Sequence, residues 1–101
     1  MTARGPYTLE IKLVRAQGVC HAGHKVGDEF TVPSNTDRFS CDGLCIHALC
    51  SMFPKLFAMR YGVEFPWITE NPDVAEHPCP DAANPHVFRI RRVREGQREQ
   101  V

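Results

Sequence analysis

The alternation of apolar and polar residues predicts strands at both ends of the chain. Apolar side chains occupy every second position from Tyr7 to Leu13, which is typical of a strand with one buried face. A second strand is predicted at Glu29–Val32, directly after a glycine and an aspartate. A last strand is predicted at His86–Val93, with Phe88 and Ile90 facing the core.

A different spacing predicts one helix, from about residue 43 to about residue 61. Apolar residues recur there at intervals of three and four along two neighbouring stripes, as in a deeply packed helix. The first stripe is Cys45, Leu49, Met52, Leu56 and Met59, and the second is Ile46, Cys50, Phe53 and Phe57. Pro54 lacks a backbone N–H, so we expect the helix to bend or break there.

The order of the elements predicts the fold class. Two strands, one helix, a short strand near residues 74–76 and a final strand are typical of an α+β fold. We expect a small, curled antiparallel sheet packed on one kinked or broken helix. At this length we also expect a single domain over residues 7–95, with a flexible N-terminus at 1–6 and a flexible tail at 96–101.

Composition and charge limit the partners. Hydrophobic residues make up 43% of the chain and charged residues 24%, which is typical of a globular protein. No segment approaches the ~18 apolar residues that cross a bilayer, and the N-terminus lacks a signal sequence, so we expect a cytoplasmic protein without a membrane partner. The formal net charge is zero, so nucleic acid is not an expected partner.

Arginines crowd the C-terminal end of the chain. They alternate with Phe88 and Ile90, which is typical of the solvent-facing side of a strand. This group consists of Arg89, Arg91, Arg92, Arg94 and Arg98.

The cysteines are the clearest candidates for chemistry. The chain has five of them, and in a reducing compartment they are expected to be free, metal-bound or reactive. Cys20 and Cys79 lie in predicted loops, where functional residues concentrate. Cys45 lies at the predicted start of the helix, where unpaired N–H groups and the helix dipole favour negatively charged groups.

Three of these thiols and a histidine form a candidate site for zinc or another transition metal. The candidate ligands are Cys20, His24, Cys45 and Cys79, with His21 as an alternative to His24. A structural zinc site commonly has close Cys-x2-Cys pairs, which this chain lacks, so the ligands would come from separate segments. The alternative for any cysteine is simple packing, and this is the role expected of Cys50 on its apolar stripe.

A cysteine nucleophile is a second hypothesis for the same thiols. Cys45 or Cys79 would need a histidine as base, and the candidates are His24, His47 and His77. Side chains two residues apart on a helix point apart, which argues against His47 as the partner of Cys45. No Gly-x-Ser-x-Gly or His-Glu-x-x-His signature is present, so the sequence leaves open whether the protein is an enzyme.

Four segments stand out in combination. They are Gly23-His24-Lys25-Val26-Gly27-Asp28-Glu29-Phe30, Cys45-x-x-Ala48 continuing to Phe53-Pro54, Arg60-Tyr61-Gly62-x-x-Phe65-Pro66-Trp67, and Cys79-Pro80-Asp81-x-x-Asn84-Pro85-x-Val87-Phe88-x-Ile90. With them the chain resembles a family of small bacterial and archaeal proteins of similar size and without an assigned activity. The resemblance implies that Cys20, Cys45 and Cys79 are the family's cysteines, and that Cys41 and Cys50 are additional.

Two hypotheses for the function follow. In the first, this is a small cytosolic protein with a Cys/His metal or thiol site, which takes a small-molecule ligand and acts as an enzyme or accessory factor in small-molecule metabolism. In the second, it is a structural or interaction module without catalytic activity, whose apolar surface forms a homodimer or docks a partner.

Overall fold

The computed structural model describes residues 6–20, 22–36, 38 and 43–94. Within them the elements follow in the order β1 (Thr8–Ala16), β2 (Glu29–Val32), α1 (Ile46–Arg60), β3 (Val74–Pro78) and β4 (His86–Val93). The strands form one antiparallel sheet in the order β2-β1-β4-β3, and α1 packs against it. The predicted α+β fold is confirmed, whereas the curl of the sheet stays a prediction.

The two central strands carry the middle of the core. Leu9, Ile11 and Leu13 of β1 are at most 1% exposed, as their alternation predicts. Ile11 pairs with Ile90 of β4 and Leu13 pairs with Phe88, so these side chains lie side by side beneath the helix. The pairing register shifts after Leu13, a β-bulge near the end of β1.

Only one of the two apolar stripes of α1 covers the sheet. The buried apolar positions are Ala48, Met52, Leu56 and Met59, and Arg60 is buried beside them. In the second stripe Ile46, Phe53 and Phe57 are 75%, 52% and 57% exposed, and Cys50 is exposed with them. The prediction of a helix buried on two sides, with Cys50 in the core, was therefore wrong, because one sheet offers the helix a single surface to cover.

Pro54 lies inside α1 without ending it, so the helix is one continuous element and the expected break does not occur. Whether the helix bends at Pro54 stays a prediction. Gly62 follows the last helical turn with φ +91°, a left-handed conformation that suits glycine. Its N–H donates to the Met59 carbonyl at 3.1 Å, which closes the helix end.

Arg92 lies in the core, although the pattern of arginines placed it in solvent. Its side chain is 0% exposed and donates to the carboxylate of Asp73 and to three backbone carbonyls. Those carbonyls belong to Met59, Val63 and Pro72. Because side chains alternate along a strand, Arg92 shares the inner face with Phe88 and Ile90, and its fork of donors fits the carbonyls at the end of α1.

Several predictions fall on residues that the structure does not describe. His21, Cys41 and the tail at 96–101 lie outside the described residues, as do residues 1–5. Within the described ranges, no helix has both the length and the apolar character needed to cross a bilayer.

Candidate functional site

The antiparallel sheet gathers distant segments at the start of β4. Because β1 and β3 both run opposite to β4, their last residues flank its first one: Ala16 pairs with His86, and Pro78 pairs with Val87. Cys20 follows the end of β1, and Cys79 directly follows β3. Two thiols that are far apart in sequence therefore reach the same end of the sheet.

A pocket of about 370 Å³ lies at this end. It is lined by Cys20, Cys45, His47, Cys79, Asp81, Asn84 and His86. The three cysteines are free and partly buried. The volume lies within the ~300–1,000 Å³ typical of small-ligand sites. The structure thus brings together the three thiols that the sequence singled out.

His24, the fourth residue of the predicted metal site, is not among the residues that line this pocket. Its side chain is 6% exposed, and its ring meets the rings of Phe30 and Phe88 edge to face at 5.4 and 6.1 Å. Nε2 accepts the Cys45 N–H at 2.9 Å, and Nδ1 lies 3.4 Å from the Asp28 carboxylate.

This hydrogen bond occupies the Nε2 atom of His24 in the described structure. Nε2 has a single lone pair, and the N–H of Cys45 uses it, so Nε2 cannot bind a metal in this arrangement. Cys45 is the N-cap residue of α1, and its own side chain makes no capping hydrogen bond. His24 therefore positions Cys45 and the first turn of the helix.

His86 lines the pocket, although the sequence did not single it out. Its side chain is 3% exposed, and Nδ1 lies 2.8 Å from the Asn84 carbonyl oxygen. A carbonyl only accepts, so Nδ1 carries the proton, and in the neutral ring Nε2 carries the lone pair. The sequence held a signal for this residue, since His86 shares the inner face of β4 with Phe88 and Ile90.

His47 also lines the pocket, and it is an exposed residue. It follows Cys45 by two positions in the chain. Side chains two residues apart point in different directions only where both residues belong to the helix. Cys45 instead precedes α1 in an extended conformation, with φ −56° and ψ 130°, so helical spacing does not apply to it. Both residues therefore line the same pocket, and whether His47 serves as a base for Cys45 stays untested.

His77, another candidate base, lies elsewhere, where β3 faces α1. Its Nε2 is 2.9 Å from the Ser51 hydroxyl, which itself donates to the Ala48 carbonyl at 3.0 Å. His77 is therefore the donor in the Ser51 contact, and its basic lone pair lies on Nδ1, which is buried and has no hydrogen-bond partner among the described residues. Burial, and then the positive charge of Lys55, lower the pKa of His77, which favours its neutral form.

The thiols surround the pocket without meeting at one point. Among the described residues, no group of three or more His, Cys, Asp or Glu is placed to hold a metal ion. A cysteine sulfur changes position when its χ1 angle moves from one staggered rotamer to another. Metal ligation by this set would therefore require rotation of one or more thiols into the pocket.

Comparison of the chain with protein-family models, with curated proteins and with solved structures gave no match. The resemblance to a family of small bacterial and archaeal proteins therefore stays a prediction.

Proposed function

We propose that the protein binds a thiophilic metal ion, with zinc as the first candidate, through Cys20, Cys45 and Cys79. The observation that supports this is the convergence of three free thiols on one pocket. Each thiol comes from a different segment: one follows β1, one precedes α1 and one follows β3. Thiolate and imidazole groups are the ligands that zinc prefers in proteins.

Packing alone accounts for only part of the arrangement. Cys45 and Cys79 touch the buried core, which is the ordinary environment of a free cysteine. Both also line the pocket, together with Cys20 from a loop. Three thiols that share a concave surface are available to a ligand, whereas a packed thiol has only apolar neighbours.

Ligation by three thiols has a chemical consequence. A cysteine binds a metal as a thiolate, so each ligating thiol releases its proton when the ion enters. The affinity should therefore rise with pH. The proposal requires reduced thiols, which the cytoplasmic location expected from the sequence would provide.

The size of the pocket supports a role beyond holding an ion. A metal ion fills a small part of about 370 Å³, so a small molecule fits beside it. Asp81, Asn84 and His86 supply polar groups on the same walls. We therefore favour an enzyme or accessory factor in small-molecule metabolism over a purely structural metal site.

The experiment is a zinc titration of the reduced, metal-free protein under anaerobic conditions, in competition with a chromophoric chelator. Serine is substituted for Cys20, Cys45 or Cys79 in turn, and Cys50→Ser is the matched control because Cys50 is exposed on the outer face of α1. If ~10–16 kcal/mol of binding free energy is shared among four ligands, each serine should cost about two to three orders of magnitude in affinity.

Two outcomes would contradict the proposal. One is wild-type protein that does not compete with the chelator for zinc. The other is a loss of affinity in Cys50→Ser equal to that in the three pocket variants, which would mean that zinc binds thiols without regard to the pocket.

A second candidate function follows from the outer face of α1, defined as Ile46, Cys50, Phe53, Phe57 and Tyr61. The rings of Phe53 and Phe57 are 6.2 Å apart, and those of Phe57 and Tyr61 are 5.2 Å apart, so the aromatic surface is continuous. The first four residues are spaced four, three and four apart, which is the spacing of a seam between two helices.

We propose a second copy of this chain as the partner for the outer face. The described residues contain no other helix that could cover it, and the zero net charge means that two copies do not repel each other strongly. Light scattering over a dilution series should show a dimer for the wild type and a monomer for Phe57→Glu. A wild type that stays monomeric at every concentration would exclude this function.

A further inference from the structure

Asn84 connects three of the segments that form the pocket. Its Oδ1 accepts the Val19 N–H at 2.9 Å, one residue before Cys20. Its Nδ2 donates to the Asp81 carboxylate at 3.1 Å, and its backbone carbonyl accepts Nδ1–H of His86 at 2.8 Å. One residue thus fixes the Cys20 loop, the turn after Cys79 and the ring of His86.

We infer that His86 is the fourth metal ligand, through Nε2, and that Asn84 is the residue that positions it. The inference rests on the proposed binding of a metal by the three thiols. A histidine that ligates a metal almost always donates its other ring N–H to a carbonyl or carboxylate, and His86 already does so to Asn84. Tetrahedral zinc takes four ligands, and three thiols leave one position open.

The backbone holds His86 next to one of the thiols. The Cys79 N–H donates to the His86 carbonyl at 2.7 Å, so the two residues face each other where β3 leaves β4. Nδ1 is engaged with Asn84, so Nε2 is the atom of His86 that is free to bind a ligand. Nε2 makes no hydrogen bond with any described residue.

The other polar side chains of the pocket suit the fourth position less well. The Asp81 carboxylate accepts the N–H of Ala83 at 3.1 Å and the side-chain N–H of Asn84, so it is occupied within its own turn. His47 is exposed at the pocket wall, and an exposed ring must lose more freedom to become a ligand.

Gly18 shows how closely the Asn84 side chain approaches the loop before Cys20. A Cβ atom at Gly18 would overlap Oδ1 of Asn84 and lie 3.2 Å from its Cα, a backbone atom that cannot easily move. Gly18 also has φ +74°, which other residues rarely adopt. Gly23 offers a matched comparison, since its φ is +80° and a Cβ there meets nothing within 4 Å.

The experiment uses Co²⁺ as the probe, because its visible absorption reports the number and type of ligands in a tetrahedral site. We expect His86→Gln to lower the affinity for Co²⁺ about hundredfold and to change the spectrum, while His47→Gln leaves both unchanged. Gly18→Ala should lower the affinity about tenfold to hundredfold, the range for groups that orient a ligand, and Gly23→Ala should leave it near that of the wild type.

A measurement on the unaltered protein covers the case in which a variant does not fold. In nitrogen NMR the His86 ring should show Nδ1 protonated before metal is added, and zinc should shift the Nε2 resonance. An Nε2 resonance that zinc leaves in place would overturn the assignment of His86.

The outcomes separate the two proposals. Wild-type protein that binds neither Co²⁺ nor Zn²⁺ contradicts the proposed function, and the inference falls with it. Metal binding that depends on the three thiols but is equal in His86→Gln and His47→Gln overturns the inference alone. Equal affinities in Gly18→Ala and Gly23→Ala would remove the positioning role of Asn84.

Discussion

Replacing Arg92 with methionine tests the largest disagreement between the sequence pattern and the fold. Methionine keeps most of the length of the side chain and removes the charge and the donors. The guanidinium donates at 3.0 Å to Asp73, at 2.9 Å to the carbonyls of Met59 and Val63, and at 2.8 Å to that of Pro72. In the variant these buried or partly buried carbonyls lose a donor, and among the described residues the Asp73 carboxylate keeps its hydrogen bonds from Arg94.

The expected cost is large because the remaining groups stay buried or partly buried. Removing one partner of a buried ion pair typically costs ~3–5 kcal/mol, against a total stability of ~5–15 kcal/mol for a domain of this kind. Arg92→Met should therefore lose a large share of the free energy of unfolding in a urea titration followed by circular dichroism. Arg92→Lys should also be destabilised, since a single ammonium cannot reach carbonyls on several sides.

Arg89→Met is the matched control on the same strand. Arg89 is exposed on the opposite face of the sheet, so its loss should change the free energy of unfolding by no more than ~0.5 kcal/mol. Unfolding of Arg92→Met at the same urea concentration as Arg89→Met would show that the buried network does not stabilise the fold.

Three further predictions concern the site and the core. His24→Phe keeps an aromatic ring in the core but leaves the Cys45 N–H without its acceptor, so the free energy of unfolding in urea should fall by ~1–3 kcal/mol. An unchanged free energy of unfolding would show that this hydrogen bond does not stabilise the fold. Burial by itself raises the pKa of Asp73, but hydrogen bonds and charges from two arginines outweigh it and hold that pKa below its ordinary value of 3.8. The stabilisation by the Asp73 carboxylate is thus fully present above about pH 3.8 and is lost as the pH falls through the lower folded-state pKa. Asp73→Asn should therefore lose less stability over this acid range than the wild type. An identical loss of stability in the two proteins would contradict the role given to the Asp73 carboxylate. Met52→Ala should lower the free energy of unfolding by ~2–5 kcal/mol because Met52 is fully buried, whereas a loss below that of Phe53→Ala on the exposed face would be incompatible with the described packing.

The alternation of apolar and polar residues was enough to predict the strands, because the two-residue period of a strand is a local property. β2 and β4 have the bounds that the sequence predicted, and the buried residues of β1 are those that its alternation predicts. A strand presents every second side chain to one face whatever lies beyond it, so the pattern can be read without knowledge of the neighbours.

Sequence patterns predicted burial wrongly where it depends on which other segments pack against a residue. The outer stripe of α1 is as apolar as the inner one, but the chain provides one sheet surface, so Phe53 and Phe57 remain exposed. Arg92 looks like a surface residue beside Arg89 and Arg91, yet carbonyls from the end of α1 and the segment before β3 make its burial favourable.

The candidate site divides in the same way. Residue type and position in loops or at a helix start were enough to single out Cys20, Cys45 and Cys79 among five cysteines, and all three line one pocket. Sequence proximity favoured His24 as the fourth residue of the site, and in the fold its ring accepts the Cys45 N–H while His86 lines the pocket. No local spacing in the sequence indicates that His86 lies at this pocket, because its position there follows from the antiparallel pairing of β1 and β3 with the start of β4.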